Sequence, residues 1–130
     1  MSSIDLYIEE WTPPVPERES VDYKHLRTFY DTESKIPIYE MEINRELEVG
    51  KLYEFGYVDW DGTTTNFELV LKKTGNVYLT CEYYNRLYRL ESKYLGDGYI
   101  PCNAKEDLGL DLVQIEKEAQ EKYVNVIEEW

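Results

Sequence analysis

The sequence predicts an α+β fold: a small antiparallel, barrel-like curled β-sheet of about six or seven strands, with a C-terminal amphipathic helix packed on it. Three observations lead there. Residues 51–100 alternate apolar and polar side chains in short runs broken by turn-forming residues. From Asp111 onward, apolar residues recur every three or four positions. Charge is also unevenly spread: residues 49–100 carry 7 acidic and 6 basic side chains, against 8 and 4 over residues 1–35, 4 and 1 over 36–48, and 8 and 3 over 101–130. A nearly neutral sheet is thus expected to carry its acid on the flanking segments.

Taken in order, Ile4, Leu6 and Ile8 alternate with polar neighbours, so residues 4–10 read as a half-buried edge strand that Pro13, Pro14 and Pro16 bring to an end. Trp11 is expected to cover the core, and residues 12–19 have linker character. Over residues 17–35 a helical stripe (Val21, Leu26, Phe29, Tyr30) competes with strand alternation (Leu26, Thr28, Tyr30). A hairpin of strands at 25–31 and 36–43, turning at Asp31 to Lys35, is the preferred reading. Pro37 implies an edge or a strand start, and Gly50 suits a bend.

The meander follows at residues 51–100. Tyr53, Phe55 and Tyr57 share one face of a first strand, and Asp61-Gly62 permits the reversal after it. Phe67, Leu69 and Leu71 oppose Asn66, Glu68, Val70 and Lys72 on the second, and Thr74-Gly75-Asn76 closes a hairpin. On the third, Val77, Leu79, Cys81 and Tyr83 oppose Tyr78, Thr80, Glu82 and Tyr84. A fourth strand is expected at Leu87 to Ser92. Asn103 is placed to cap a short helical turn ended by Gly109, and Asp111 to cap a helix over 111–129 with Leu112, Ile115, Ala119, Tyr123, Val126, Ile127 and Trp130 on or beside its apolar stripe.

The 130 residues fit one domain, without internal repeat or low-complexity tract. Thirteen tyrosines imply a core or a binding face that is both apolar and hydrogen-bonding. A net charge of −13 exceeds the ~2–8 that keeps a small domain soluble, and it disfavours direct contact with duplex DNA or an anionic membrane. The first residues lack the basic start and apolar run of a secretion signal, and no apolar run approaches the ~18 residues of a membrane span, so a cytoplasmic protein with Cys81 and Cys102 reduced is expected.

No catalytic or metal-binding signature is present, so no cofactor or metal is expected. His25 is the sole histidine, the cysteines have no paired CxxC spacing, and neither GxGxxG nor GxxxxGK[ST] occurs. Asp59, Trp60 and Asp61 form a fragment of a calcium-type loop, but Asp and Gly are what such a turn ordinarily selects. Tyr83, Tyr84, Arg86, Tyr88 and Arg89 interleave aromatic and basic side chains.

These features favour a non-enzymatic acidic protein that binds and inhibits a basic partner, such as a nuclease or other nucleic-acid-processing enzyme, in the manner of a DNA mimic, an antirestriction or anti-CRISPR inhibitor, or an immunity protein. Glu116, Glu118 and Glu121 of the helix, with Asp59, Trp60 and Asp61, are its candidate contacts. The alternative is a module that binds or sequesters a small ligand or nucleotide through Tyr84, Arg86, Tyr88 and Arg89. A carboxylate-dependent hydrolase comes third, because the sequence locates no acid pair.

Overall fold

The computed structural model describes residues 21–59, 62–84 and 86–123. The expected strand at 4–10, Trp11, Trp60, Asp61 and the helix beyond Tyr123 lie outside them. Among the described residues six strands form one open, mixed sheet: β1 (Lys24–Asp31), β2 (Pro37–Glu42), β3 (Leu52–Asp59), β4 (Gly62–Thr74), β5 (Val77–Glu82) and β6 (Tyr99–Cys102), in the order β3-β4-β5-β2-β1-β6. Every pairing is antiparallel except β1 with β6, which is parallel. Bulges between His25 and Arg27 and between Val70 and Lys72 bend the sheet, but it does not close. The α+β architecture is as the sequence predicts, and the barrel-like closure stops short.

The β1–β2 hairpin is held by Asp31. Its carboxylate accepts from the Ser34 N–H (2.9 Å) and hydroxyl (2.5 Å), and Lys35 takes the left-handed conformation (φ 65°) while donating its N–H to the Asp31 carbonyl at 2.7 Å. The other Asp31 oxygen accepts from the Ala104 N–H at 2.9 Å, so one buried carboxylate ties the end of β1 to the segment that follows β6.

The strand expected at Leu87 to Ser92 does not form. A single bridge joins Tyr83 to Leu87, and the chain then leaves the ladder, runs through a 3₁₀ turn at Ser92–Tyr94 and is pinned where the Leu90 N–H meets the Lys35 carbonyl at 2.9 Å. The reason is topological. β5 already has β4 on one side and β2 on the other, so it offers a following strand no free edge. The chain crosses over instead and re-enters at the outer edge of β1 as the parallel strand β6.

α1 (Ala104–Asp107) is a single turn capped in both directions: the Glu106 N–H donates to Asn103 Oδ1 at 3.1 Å, and the Asn103 N–H donates to Asp107 Oδ2 at 2.8 Å. Asn103→Ala is expected to cost about 1 kcal/mol of unfolding free energy, read from urea midpoints; an unchanged midpoint would show the cap to be redundant. α2 (Leu112–Tyr123) starts at Asp111, whose carboxylate accepts from the Gln114 N–H at 3.2 Å. No helix among the described residues is long and apolar enough to cross a membrane.

The sheet buries both faces. Leu112, Ala119 and Tyr123 of α2 pack on Leu52, Leu69 and Cys81. On the opposite face Tyr53, Phe55, Val70 and Tyr78 are covered by Val21, Ile43 and Leu47. The tyrosines peg the covering segment in place. The Leu47 N–H donates to the Tyr78 hydroxyl (3.1 Å), which donates in turn to the Arg45 carbonyl (3.0 Å), and the Glu48 N–H donates to the Tyr53 hydroxyl (2.9 Å). Much of the tyrosine content is therefore core that carries its own hydrogen bonds. Cys81 and Cys102 are free thiols; burial pushes the Cys81 thiol well up, which makes it unreactive.

Candidate functional site

Beyond the second core, on the face away from α2, the sheet opens into a cleft of about 330 Å³ that spans four adjacent strands. β1 supplies His25 and Thr28, β2 supplies Tyr39 and Met41, β4 supplies Asn66 and Glu68, and β5 supplies Glu82, with Tyr23 at the entry to β1. Alternation within β4 and within β5, with the bulge at Leu71 setting one strand against the other, sends Asn66, Glu68 and Glu82 to this side while Leu69 and Cys81 face α2.

Register decides which of them meet. Glu68 lies directly opposite Glu82 across the β4–β5 ladder, so two carboxyl side chains share one face of neighbouring strands, their Cβ atoms ~5 Å apart. Glu68 is only 6% exposed and accepts from the Thr80 hydroxyl at 2.7 Å. Burial pushes its carboxyl up to about 7; the Thr80 bond works against the rise and the neighbouring Glu82 charge adds to it. Burial also raises Glu82, although its Oε1 accepts from the Tyr39 hydroxyl and the Asn66 amide, both at 3.1 Å. Tyr39, buried between these acids, is raised far above the ordinary phenol range. On the far wall His25 Nε2 lies 2.7 Å from the Thr28 hydroxyl, and its ring meets Tyr39 edge-on at 6.4 Å. Among the described residues no lysine or arginine lines the cleft, so its acids face no counter-charge from them.

The residues singled out from sequence divide around this site. Tyr84 and Tyr88 form an exposed edge-to-face pair with centroids 5.7 Å apart, and the Tyr84 hydroxyl lies 3.3 Å from Asn66 Oδ1 and 3.5 Å from Glu82 Oε2, at the cleft rim. Arg86 is exposed. Arg89 points the other way, to Glu116 of α2 at 2.8 Å and to the Leu87 carbonyl at 3.1 Å. The aromatic and basic halves of that cluster thus serve different places. Glu116, which also accepts from the Leu87 N–H at 3.2 Å, braces α2 against the crossover, while Glu118 and Glu121 stand exposed and Glu118 accepts from Gln114. Asp59 ends β3.

Sequence reasoning passed over His25, Tyr39, Glu68 and Glu82 as a group. The available signal was a pair of acids, Glu68 and Glu82, on the otherwise apolar inner faces of two consecutive strands, flanked by Val70, Tyr78 and Thr80. An acid in that position pairs with a base, is held neutral by burial, or meets a ligand. Compared with protein-family models, with curated proteins and with solved structures, the chain matches none of them, so the functional reading rests on the cleft's own chemistry.

Proposed function

We propose that this chain is a non-enzymatic binding module for a basic partner, and that the cleft formed by β1, β2, β4 and β5 is where a positively charged group of that partner enters. The observation that carries this reading is Glu68 with Glu82: two neighbouring, desolvated carboxyls in a cleft that, among the described residues, is lined by no lysine or arginine. A cation arriving there supplies the missing counter-charge and offsets the cost of keeping the acids ionised. The charge of −13 draws cations in from solution, and the tyrosines offer rigid contact with little entropy to lose. A nuclease or other nucleic-acid enzyme presenting lysines is one such partner, and a small cationic ligand is the other. An anionic nucleotide fits the cleft poorly, since Arg89 is committed to Glu116.

The test is calorimetric titration of the full chain with a deca-lysine peptide at low and high salt. We expect the double variant Glu68→Gln/Glu82→Gln to weaken binding at least tenfold at high salt, where exposed charges are screened. Charge reversal at Glu118 and Glu121 should remove only the salt-sensitive part. If the helix reversal alone matters, the interface is α2, as in a DNA mimic, and the cleft reading falls; binding indifferent to both sets of variants also overturns it.

A second reading draws on the same pair. Two neighbouring carboxyls, both raised by burial but Glu68 the more buried and Glu82 the better supplied with hydroxyl and amide donors, are the elements of an acid–base couple in glycoside hydrolysis. Turnover of aryl glycosides that Glu68→Gln abolishes would favour it over simple binding.

A further inference from the structure

We propose that the cleft is shaped for a primary ammonium group, bridged between the carboxylates of Glu68 and Glu82 with its alkyl stem along Tyr39 and Met41. This rests on the cation-binding reading above and narrows it to one head group. The two acids each have one oxygen occupied. Glu68 Oε1 takes the Thr80 hydroxyl, and among the described residues Glu68 has no other hydrogen-bond partner, although the side chain is more than nine-tenths buried and lines the cleft. Glu82 Oε1 takes both Tyr39 and Asn66, leaving Oε2 with the Tyr84 hydroxyl at 3.5 Å, the outer limit of a hydrogen bond. What remains is one acceptor on each of two carboxylates that stand opposite one another on adjacent strands.

That pattern discriminates between cations. An ammonium is compact and carries three divergent N–H donors, so it can bond to two separate oxygens at once. A guanidinium is a planar fork that matches the two coplanar oxygens of a single carboxylate, and here neither acid offers both oxygens free: Glu82 Oε1 already accepts two donors and Glu68 Oε1 one. A quaternary ammonium has no N–H to give and is recognised by a cage of ring faces, whereas this site turns carboxyl oxygens to its ligand. The volume of about 330 Å³ lies at the small end of ligand pockets, which suits a single head group and a short stem. The Met41 thioether and the Tyr39 ring give that stem an adaptable apolar wall. The same chemistry is offered by a free alkylamine and by a lysine side chain projecting from a partner.

The experiment is a chemical-shift titration of the isotopically labelled full chain at neutral pH and fixed ionic strength. The probes are n-butylammonium, n-butylguanidinium and n-butyltrimethylammonium chlorides. We expect n-butylammonium to move the amides of His25, Thr28, Asn66 and Glu82 saturably, with a dissociation constant at least tenfold below those of the other two. Glu68→Gln and Glu82→Gln should each weaken it at least tenfold. Asn66→Lys, which places a tethered ammonium beside Glu82, should abolish it even if a glutamine variant folds poorly. Comparing 1,5-diaminopentane with an acetyl-Gly-Lys-Gly-amide peptide then assigns the source: tighter binding of the diamine indicates a free amine, and tighter binding of the peptide indicates a partner's lysine. Equal or tighter binding of the guanidinium or quaternary probe overturns the ammonium assignment and leaves the cation reading standing. If none of the three probes moves the cleft amides, both fall.

Discussion

Truncating Tyr123 to alanine is expected to lower the unfolding free energy by about 3–5 kcal/mol, the largest single effect foreseen for this chain. The side chain is only 1% exposed and sits in the core between α2 and the sheet, edge-on to Tyr83 with centroids 6.2 Å apart. Its hydroxyl accepts the Leu52 N–H at 3.2 Å, so the same residue fills volume and satisfies a backbone donor at the start of the edge strand β3. Alanine would leave a ring-sized void and an orphaned N–H. Tyr123→Phe separates the two: it keeps the ring and strands only the donor, for a loss of about 1–3 kcal/mol. Urea unfolding measures both. Domains of this kind are stable by roughly 5–15 kcal/mol, so the alanine variant should be close to unfolding at physiological temperature. An alanine penalty below that of the phenylalanine variant would mean that α2 is not docked through this residue.

The second large effect concerns Glu68 and depends on pH. In the unfolded chain its carboxyl titrates near the ordinary value of 4.5, and in the fold burial carries it up to about 7. The folded state therefore binds more protons across that window, and this group makes the protein less stable as pH rises through it. Below the unfolded value nothing is lost; above the folded value the full penalty applies, on the order of 3 kcal/mol. Other carboxylates work in the opposite direction. The Arg27 guanidinium beside Glu40 holds that carboxyl down, so the raw pH profile of the protein blends both trends. The difference between wild type and Glu68→Gln isolates the one group. Glutamine keeps the shape and can still accept from Thr80, but it never ionises. The variant should match wild type near pH 4.5 and exceed it by roughly 2–3 kcal/mol near pH 8, in thermal or urea melts across pH. A difference that stays flat with pH would place Glu68 in contact with water or with a base.

How much of this was written legibly in the chain differs between elements. The hairpin at 25–31 and 36–43, the strands around Tyr53, Leu69 and Leu79, the Asn103 cap and the start of the last helix at Asp111 all stand where alternation, turn residues and capping chemistry put them. Those signals are local, and local rules read them. The misplaced strand at Leu87 to Ser92 failed for a non-local reason, because its propensity is adequate but β2 already occupies the position beside β5. The cleft was hidden by a single residue. Counting back from the Thr74-Gly75-Asn76 turn, with Lys72 opposite Leu79, a regular ladder would set Leu69 against Glu82 and divide the two acids between the faces. The bulge at Leu71 shifts the register by one and sets Glu68 against Glu82. Nothing in the composition of Val70-Leu71-Lys72 announces it. The interleaved Tyr84, Arg86, Tyr88, Arg89 cluster was legible as a group, but the division of its members was not, since Arg89 is drawn to Glu116 on a helix whose position no local pattern fixes.

The parallel strand β6 has a further consequence for how the molecule is made. It returns to β1 from far along the chain, with the Thr32 hydroxyl reaching the Cys102 carbonyl across 70 positions. On a ribosome adding ~5–20 residues per second, the outer edge of β1 would wait roughly 4–14 s after its own emergence before that partner is synthesised. Through this interval the nascent chain carries an unzipped seam of amide and carbonyl groups, and the Asp31 carboxylate stands ready for an Ala104 amide that has yet to leave the tunnel.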